Sequence, residues 1–460
     1  MINYRQIRQY TLENPKKSPS ALGAKILILG FAAIILIGSF LLALPVATQG
    51  PGSISWLDAL FTSTSATTVT GLAVVSTEAT FSLFGEIVIL LLMQVGGMGF
   101  IILSIVLFRL IGRHVTFYER SLLRQNLGVE EGHGVIRLAW RVIQITLMIE
   151  FIGAILLFTQ WVQVMDWDKA IYYSIFHSVS AFCNAGFDLF HGFDDPVMVA
   201  TRNSPISIIV LSLLITIGTL GVTVIYDLIH WPAERRLSLH TRLILPFTII
   251  LTILGTFLIM IDETFVQGHA LSLLPTGEQW WLAFFTAVSS RTAGITLIPM
   301  ADLGEASQFI IVIWMFIGGA PASMGGGVGL TTVAVVLITL VSNVRGHDDV
   351  RVLKRSLPLE TVTKAVAILT VSTILVVVVT VLLALLEQGH IFPLGFEVIS
   401  AFSNTGYSLG ITSDLSLVSR LLIIFTMFWG RLGPLTLVVA LAQRHRQSLV
   451  YFPEEKIIIG

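Results

Sequence analysis

Apolar residues in this chain come in long blocks separated by polar ones, a pattern unlike the short alternations of a soluble domain. A membrane-crossing helix needs about 20 mostly apolar residues. Eight segments satisfy this, at roughly 26–46, 84–108, 138–160, 205–229, 243–262, 308–341, 365–387 and 418–441. Between the first and second, third and fourth, fifth and sixth, and seventh and eighth lie helical stretches too short to cross, such as Asp58 to Thr67 and Trp280 to Ser289. Ser55-Trp56-Leu57-Asp58 reads as a capping box opening the first of these, and Thr276-Gly277-Glu278-Gln279 opens the third. The pattern predicts helix, re-entrant loop, helix, written four times. The fold class is therefore an all-α polytopic membrane protein: four tandem M1–pore-loop–M2 repeats, eight transmembrane helices, with pseudo-fourfold symmetry about one central pore. The expected division is an N-terminal tail at 1–22, repeats at 23–112, 113–230, 231–345 and 346–442, and a C-terminal tail at 443–460.

One motif recurs in the four short segments. Phe61 to Leu72 returns in degraded form as Phe176 to Phe187, Phe284 to Ile295 and Phe396 to Tyr407, each with Phe ten residues before a glycine. The glycines, Gly71, Gly186, Gly294 and Gly406, are spaced by 115, 108 and 112 residues. A half-helix entering the membrane points its C-terminal carbonyls, and their partial negative charge, at the centre. Beyond it the backbone must run extended with carbonyls inward, which glycine allows without a Cβ clash. A ring of such carbonyls replaces the water shell of an alkali cation. The candidate filter is Val69-Thr70-Gly71-Leu72, Asn184-Ala185-Gly186-Phe187, Thr292-Ala293-Gly294-Ile295 and Asn404-Thr405-Gly406-Tyr407, with K+ at the backbone carbonyls.

Composition agrees with a lipid-facing surface. The 460 residues are 55% apolar and 12% charged, against about a quarter charged in soluble domains. The basic residues orient the chain. Placing both tails and the even-numbered connections inside assigns them 22 of 27 Lys and Arg; the outer connections hold only Lys169, Arg202 and Arg420. The positive-inside rule then puts both termini in the cytoplasm and lets the loops enter from outside. The polar N-terminus is expected to be a retained tail, not a signal peptide. A net charge of −1 without a basic aromatic face gives no reason to expect nucleic acid, and the single Cys183 excludes an internal disulfide.

The sixth span departs from the others. Gly318-Gly319-Ala320-Pro321-Ala322-Ser323-Met324-Gly325-Gly326-Gly327-Val328-Gly329 holds six glycines and a proline. Gly costs about 1 kcal/mol and Pro about 3 kcal/mol per interior helical position. Two half-helices joined by a mid-membrane loop are expected, the loop being either a ligand-holding break or a barrier under the filter. Gly96-Gly97-Met98-Gly99 and Gly218-Thr219-Leu220-Gly221 are read as close-packing glycines. Arg431, mid-span in the eighth segment, needs acceptors; the loop's freed carbonyls would supply them, with an ion pair to Glu86 or Glu150 as the alternative. Arg291 is expected to brace the filter from behind. His177 is read as packing or hydrogen bonding.

These residues resemble the Ktr, Trk and HKT superfamily of potassium transporters, over essentially the whole chain and most closely the KtrB-type membrane subunits. Family filters carry one glycine per repeat, here Gly71, Gly186, Gly294 and Gly406. In plant members, serine in the first loop goes with sodium preference and glycine with potassium. Trk members usually carry two further N-terminal spans that this sequence lacks. The resemblance implies potassium uptake across the plasma membrane and a gating role for 318–329, the loop that Arg431 is read as pinning. It also implies a homodimer standing on a KtrA-like cytoplasmic ring of nucleotide-binding regulatory subunits, with nucleotide bound on that partner alone. The basic stretches Arg109 to Arg141 and Arg345 to Lys364 are the candidate contacts. No motif settles whether uptake requires Na+. No HExxH, Walker loop or G-x-S-x-G is present, so neither an enzyme nor an ATP-driven pump is expected. The rival reading is an ion-coupled secondary transporter with alternating access, which predicts inverted repeats where these run in one direction.

Overall fold

The computed structural model describes residues 19–50, 52–99, 135–190, 199–202, 204–265, 271–347 and 349–433. Most of the expected N-terminal tail, most of the Arg109 to Arg141 connection, the ends of the second and eighth spans and the C-terminal tail lie outside the described residues.

The described chain is mostly helical. Its first units are α1 (Pro19–Leu42), α2 (Trp56–Thr67) and α3 (Leu83–Met98), then α4 (Val135–Trp161), α5 (Trp167–Cys183), α6 (Pro205–Leu220) and α7 (Val222–Glu234). α8 (Leu239–Phe265), α9 (Thr276–Ser289), α10 (Glu305–Ile317) and α11 (Leu330–Val344) follow. The last are α12 (Leu359–Leu386), α13 (Ile391–Ser403) and α14 (Leu417–Leu432). Among the described residues three helices are individually long and apolar enough to span: Ala139–Trp161, Leu239–Thr264 and Leu359–Leu386. Their outer faces are apolar, with Leu147, Phe151, Ile253, Phe257, Ile374 and Val378 exposed. Apolar surface around a long helix is what a lipid solvent selects.

Four short helices, α2, α5, α9 and α13, sit inside this shell. Each packs on the long helix before it: α1 on α2, α4 on α5, α8 on α9 and α12 on α13. A second set of contacts closes a cycle. α3 packs against α5, α6 against α9, α10 against α13, and α14 returns to α2. The Arg420 guanidinium on α14 and the Asp58 carboxylate on α2 pair at 2.7 Å at the closing contact. Glycines permit the approach. A Cβ at Gly96, Gly218 or Gly430 would overlap the carbonyl oxygen of Thr67, Phe182 or Phe402 respectively.

Four expectations are corrected. The span expected at 205–229 is not one helix: Gly221, at φ 85°, bends α6 and α7 apart by 101°. The glycine clusters of the first two inner helices do more than pack, since α3 ends at Gly99 (φ 82°) just as α6 ends at Gly221, α10 at Gly318 (φ 72°) and α14 at Gly433 (φ 83°). Ser55 caps α2 by accepting from the Asp58 N–H at 3.1 Å, but α9 is capped by Pro275 without a side-chain bond, and Thr276 is its first helical residue. Finally, the fold is not wholly α. Arg351–Val352 (β1) and Arg355–Ser356 (β2) pair antiparallel around Leu353 and Lys354, both at positive φ, as a two-residue hairpin requires.

Candidate functional site

The four motif glycines touch one another. A Cβ added at Gly71 would fall 2.6 Å from the Ala185 carbonyl oxygen, and one at Gly186 2.7 Å from that of Ala293. Likewise Gly294 abuts the Thr405 carbonyl, and Gly406 the Thr70 carbonyl. The order runs 71, 186, 294, 406 and back to 71. Their φ values are 86°, 72°, 63° and 96°, a region L side chains enter only with strain. Conformation and crowding therefore both require glycine at each place.

The helix ends explain how the backbone reaches this ring. The amides of Thr70, Ala185 and Thr405 donate to the carbonyls of Ser65, Ser180 and Ser400 at 2.8, 2.8 and 3.0 Å, the six-to-one closure of a Schellman end. Its left-handed residues are Val69, Asn184 and Asn404, at φ 52°, 56° and 53°. Asparagine tolerates this conformation; valine does so only under constraint, here complete burial. In the third segment Ala293 and Gly294 both donate to Ser289, and Thr292 needs no left-handed turn. The residues after the glycines, Leu72, Phe187, Ile295 and Tyr407, are buried. Ser180 and Ser289 hydroxyls donate to the carbonyls of Phe187 (2.7 Å) and Ile295 (2.9 Å), and Tyr407 donates to Ile295 at 3.2 Å.

The segment 318–329 lies against this ring. A Cβ at Gly325 would meet Thr292, and one at Gly326 would meet the Asn404 side chain. Its amides are satisfied by the broken helix beside it: Ala320 donates to Thr219 and Met324 to Gly218, each at 3.0 Å, while Val222 donates back to Ala322 at 3.1 Å. Arg431 donates to the Met324 carbonyl at 2.5 Å and to Gly96 and Gly97 at 2.5 and 3.0 Å. The two carboxylates weighed as its alternatives are engaged elsewhere, Glu86 with Tyr172 (2.7 Å) and Glu150 with Gln94 (2.9 Å). Arg291 is buried, and its Nε and Nη2 have no hydrogen-bond partner among the described residues.

Two features escaped the sequence reading. Asn184 and Asn404 act through their side chains, each tying one glycine segment to the next. The Asn184 Oδ1 accepts from Thr292 (3.2 Å) and Thr219 (3.3 Å), and the Asn404 Nδ2 donates to Thr70 Oγ1 and the Met427 carbonyl, each at 2.9 Å. The available signal was the repeated asparagine two residues before glycine. Glu397, one residue after the motif Phe, was not singled out; it anchors the descending chain together with His177, whose expected packing and hydrogen bonding the structure shows. His177 Nε2 accepts from the Leu189 amide at 3.2 Å with Nδ1 on the Tyr173 carbonyl, and Glu397 accepts from Ser408 and from Thr412 at 3.0 Å.

A membrane fold of tandem helices around a backbone ring defines the class, and comparison with known proteins narrows it. Residues 16–450 match the family model "TrkH: Cation transport protein". The "Ktr system potassium uptake protein B" of Bacillus subtilis is 34% identical over 436 residues, 95% of this chain and 96% of that one. Its namesake in Vibrio alginolyticus is 36% identical over 438 residues, 95% and 94% of the two chains. The "Potassium/sodium uptake protein NtpJ" of Enterococcus hirae is 34% identical over 441 residues, 94% and 96%. The solved structure of the potassium transporter TrkH from Vibrio parahaemolyticus superposes with a TM-score of 0.71 at 20% identity, covering 93% of this chain and 86% of its own. The chain belongs to the TrkH family of cation transport proteins.

The clamp yields a prediction. Asn404→Ala strips Thr70 and Met427 of a buried partner and should cost about 1–3 kcal/mol, read as earlier thermal unfolding in detergent. Combined with Thr70→Val it should cost less than the two separate losses together; strict additivity would show that the bond carries no coupling.

Proposed function

We propose that this chain conducts potassium into the cell through one pore formed by four M1–pore-loop–M2 repeats, with the bounds given by the sequence. The selectivity filter is the ring formed by residues 69–72, 184–187, 292–295 and 404–407, and the segment 318–329 is its gate. The observation that carries the reading is the closed cycle of glycines, each against the next segment's carbonyl. In this reading the carbonyls around the cycle line its axis and substitute for the hydration shell of K+. The C-terminal ends of α2, α5, α9 and α13 add partial negative charge beneath it. Potassium as the cargo rests on the relatives named for potassium uptake and on Gly71 in the first segment. The relative named for potassium and sodium keeps sodium in view as a co-substrate or activator. Four segments running in the same direction favour a fixed pore over alternating access.

The gate follows from position. The loop packs against Thr292 and Asn404 on the ring, where it would obstruct an ion leaving the filter. Arg431 would hold it there through Met324 and add a positive charge that opposes a resting cation. In this reading the molecule sits in the plasma membrane with both termini inside, as a homodimer on a nucleotide-binding cytoplasmic ring. The exposed hairpin carrying Arg351, Lys354 and Arg355 is the docking element.

Three outcomes are expected. Gly71→Ser imposes a side chain on a left-handed residue, a strain of about 1–3 kcal/mol, and should lower the potassium-to-sodium uptake ratio about tenfold in cells lacking their own potassium uptake. An unchanged ratio at normal protein level contradicts the filter. Deleting part of 318–329 should raise potassium influx; Arg431→Ala should do so more mildly, and should add little once the loop is shortened. An equal fractional effect of Arg431→Ala in both backgrounds would end the latch. Neutralising Arg351, Lys354 and Arg355 together should reduce co-purification with the cytoplasmic subunit, and an intact complex would remove the hairpin from the interface.

A further inference from the structure

A half-open, mostly apolar groove lies between α4, the broken pair α6–α7 and the 318–329 segment. It opens where Gly221 turns α7 by 101° from α6. Val142 and Ile145 of α4 face Val222 and Ile225 of α7 across it, and Ala322 to Met324 form its inner end. Arg141 lines it as well and is itself exposed.

The position of Arg141 fixes the character of the site. It is the third residue of the apolar stretch Ala139–Trp161, so it lies at one end of the span, at head-group depth, while the walls behind it are hydrocarbon-like. The outer face of α4 beyond it, with Leu147, Met148 and Phe151 exposed, meets lipid. The Arg141 side chain is exposed and makes no hydrogen bond or ion pair with any described residue. A guanidinium is suited to two-point binding of phosphate or carboxylate. We infer that this groove binds an anionic amphiphile, its acidic head on Arg141 and its acyl chain between α4 and α7, reaching the Ala322–Met324 segment.

A bound chain would touch the stretch that Arg431 holds through the Met324 carbonyl. Where the gate reading of that loop holds, on which this consequence rests, occupancy changes ion flux. Binding itself does not depend on that reading.

The test uses the full chain reconstituted in nanodiscs with phosphatidylglycerol bearing a photoreactive acyl chain. Phosphatidylcholine of the same chain serves as the neutral control and a photoreactive fatty acid as the second acidic source. Crosslinked peptides are mapped by mass spectrometry. Phosphatidylglycerol should label peptides containing 141–146, 222–226 or 322–324 about fivefold more than phosphatidylcholine, the weight of one basic side chain at an anionic surface. Arg141→Gln should abolish that preference, and Ile145→Trp, which fills the groove, should reduce labelling by both lipids. Labelling by the fatty acid equal to that by phosphatidylglycerol supports the site and names a free acid as its ligand. Equal labelling by the two phospholipids in the unaltered chain, or labelling indifferent to Ile145→Trp, overturns the inference. Potassium flux into liposomes with and without phosphatidylglycerol is read separately. A chain that binds selectively but whose flux does not respond keeps the site and removes the loop from control of flux.

Discussion

Everything in this fold is arranged around one steric constraint, the approach of four backbones to a common point. At Gly71, Gly186, Gly294 and Gly406 each segment meets the carbonyl of the next with no room for a Cβ. Such an approach in the interior of a membrane protein leaves amides and carbonyls that lipid cannot satisfy. The short helices supply the answer, closing their ends onto Ser65, Ser180, Ser289 and Ser400. The long helices then keep the short ones out of lipid, and the outer apolar faces follow from that duty. Asn184 and Asn404 fasten the segments in pairs, so that a distortion in one is passed to its neighbour.

The same economy applies beneath the ring. The segment 318–329 cannot be helical, yet its amides find partners because α6 is itself broken at Gly221 and offers the carbonyls of Gly218 and Thr219. The break in one inner helix is thus the receptor for the break in another. Arg431 completes the arrangement from the opposite side, gathering the carbonyls of Met324, Gly96 and Gly97. Its hydrogen-bond partners among the described residues are backbone carbonyls, with no carboxylate to offset its charge. This is the electrostatic reason to read the loop and the arginine as one device.

Much of this was legible in the sequence because glycine is irreplaceable at the ring. No other residue meets both the positive φ and the contact, so the four glycines survive in a motif that is otherwise eroded. The fracture of the sixth span was equally legible, since six glycines and a proline override any apolar run. What escaped depends on tertiary neighbours. Gly218 and Gly221 look alike in sequence, yet the first packs against the Phe182 carbonyl and the second bends the chain. A cluster of small residues serves both ends, and only the partner decides which. The clamping asparagines were read as part of a carbonyl path, because nothing local says that a side chain reaches across to a residue such as Thr70, 334 positions away. The capping of α9 by Pro275 shows the reverse error, a local signal at Thr276 displaced by one position.

The central claim is that the glycine ring is where a dehydrated alkali cation sits. The most direct measurement is anomalous diffraction from crystals of the full chain grown with rubidium or thallium in place of potassium. The account predicts a peak on the axis of the ring, coordinated by backbone carbonyls from all four segments, that weakens when sodium replaces the heavier ion. An empty ring, or a peak held by side-chain carboxylates such as Glu150 or Glu397 in its place, would contradict it.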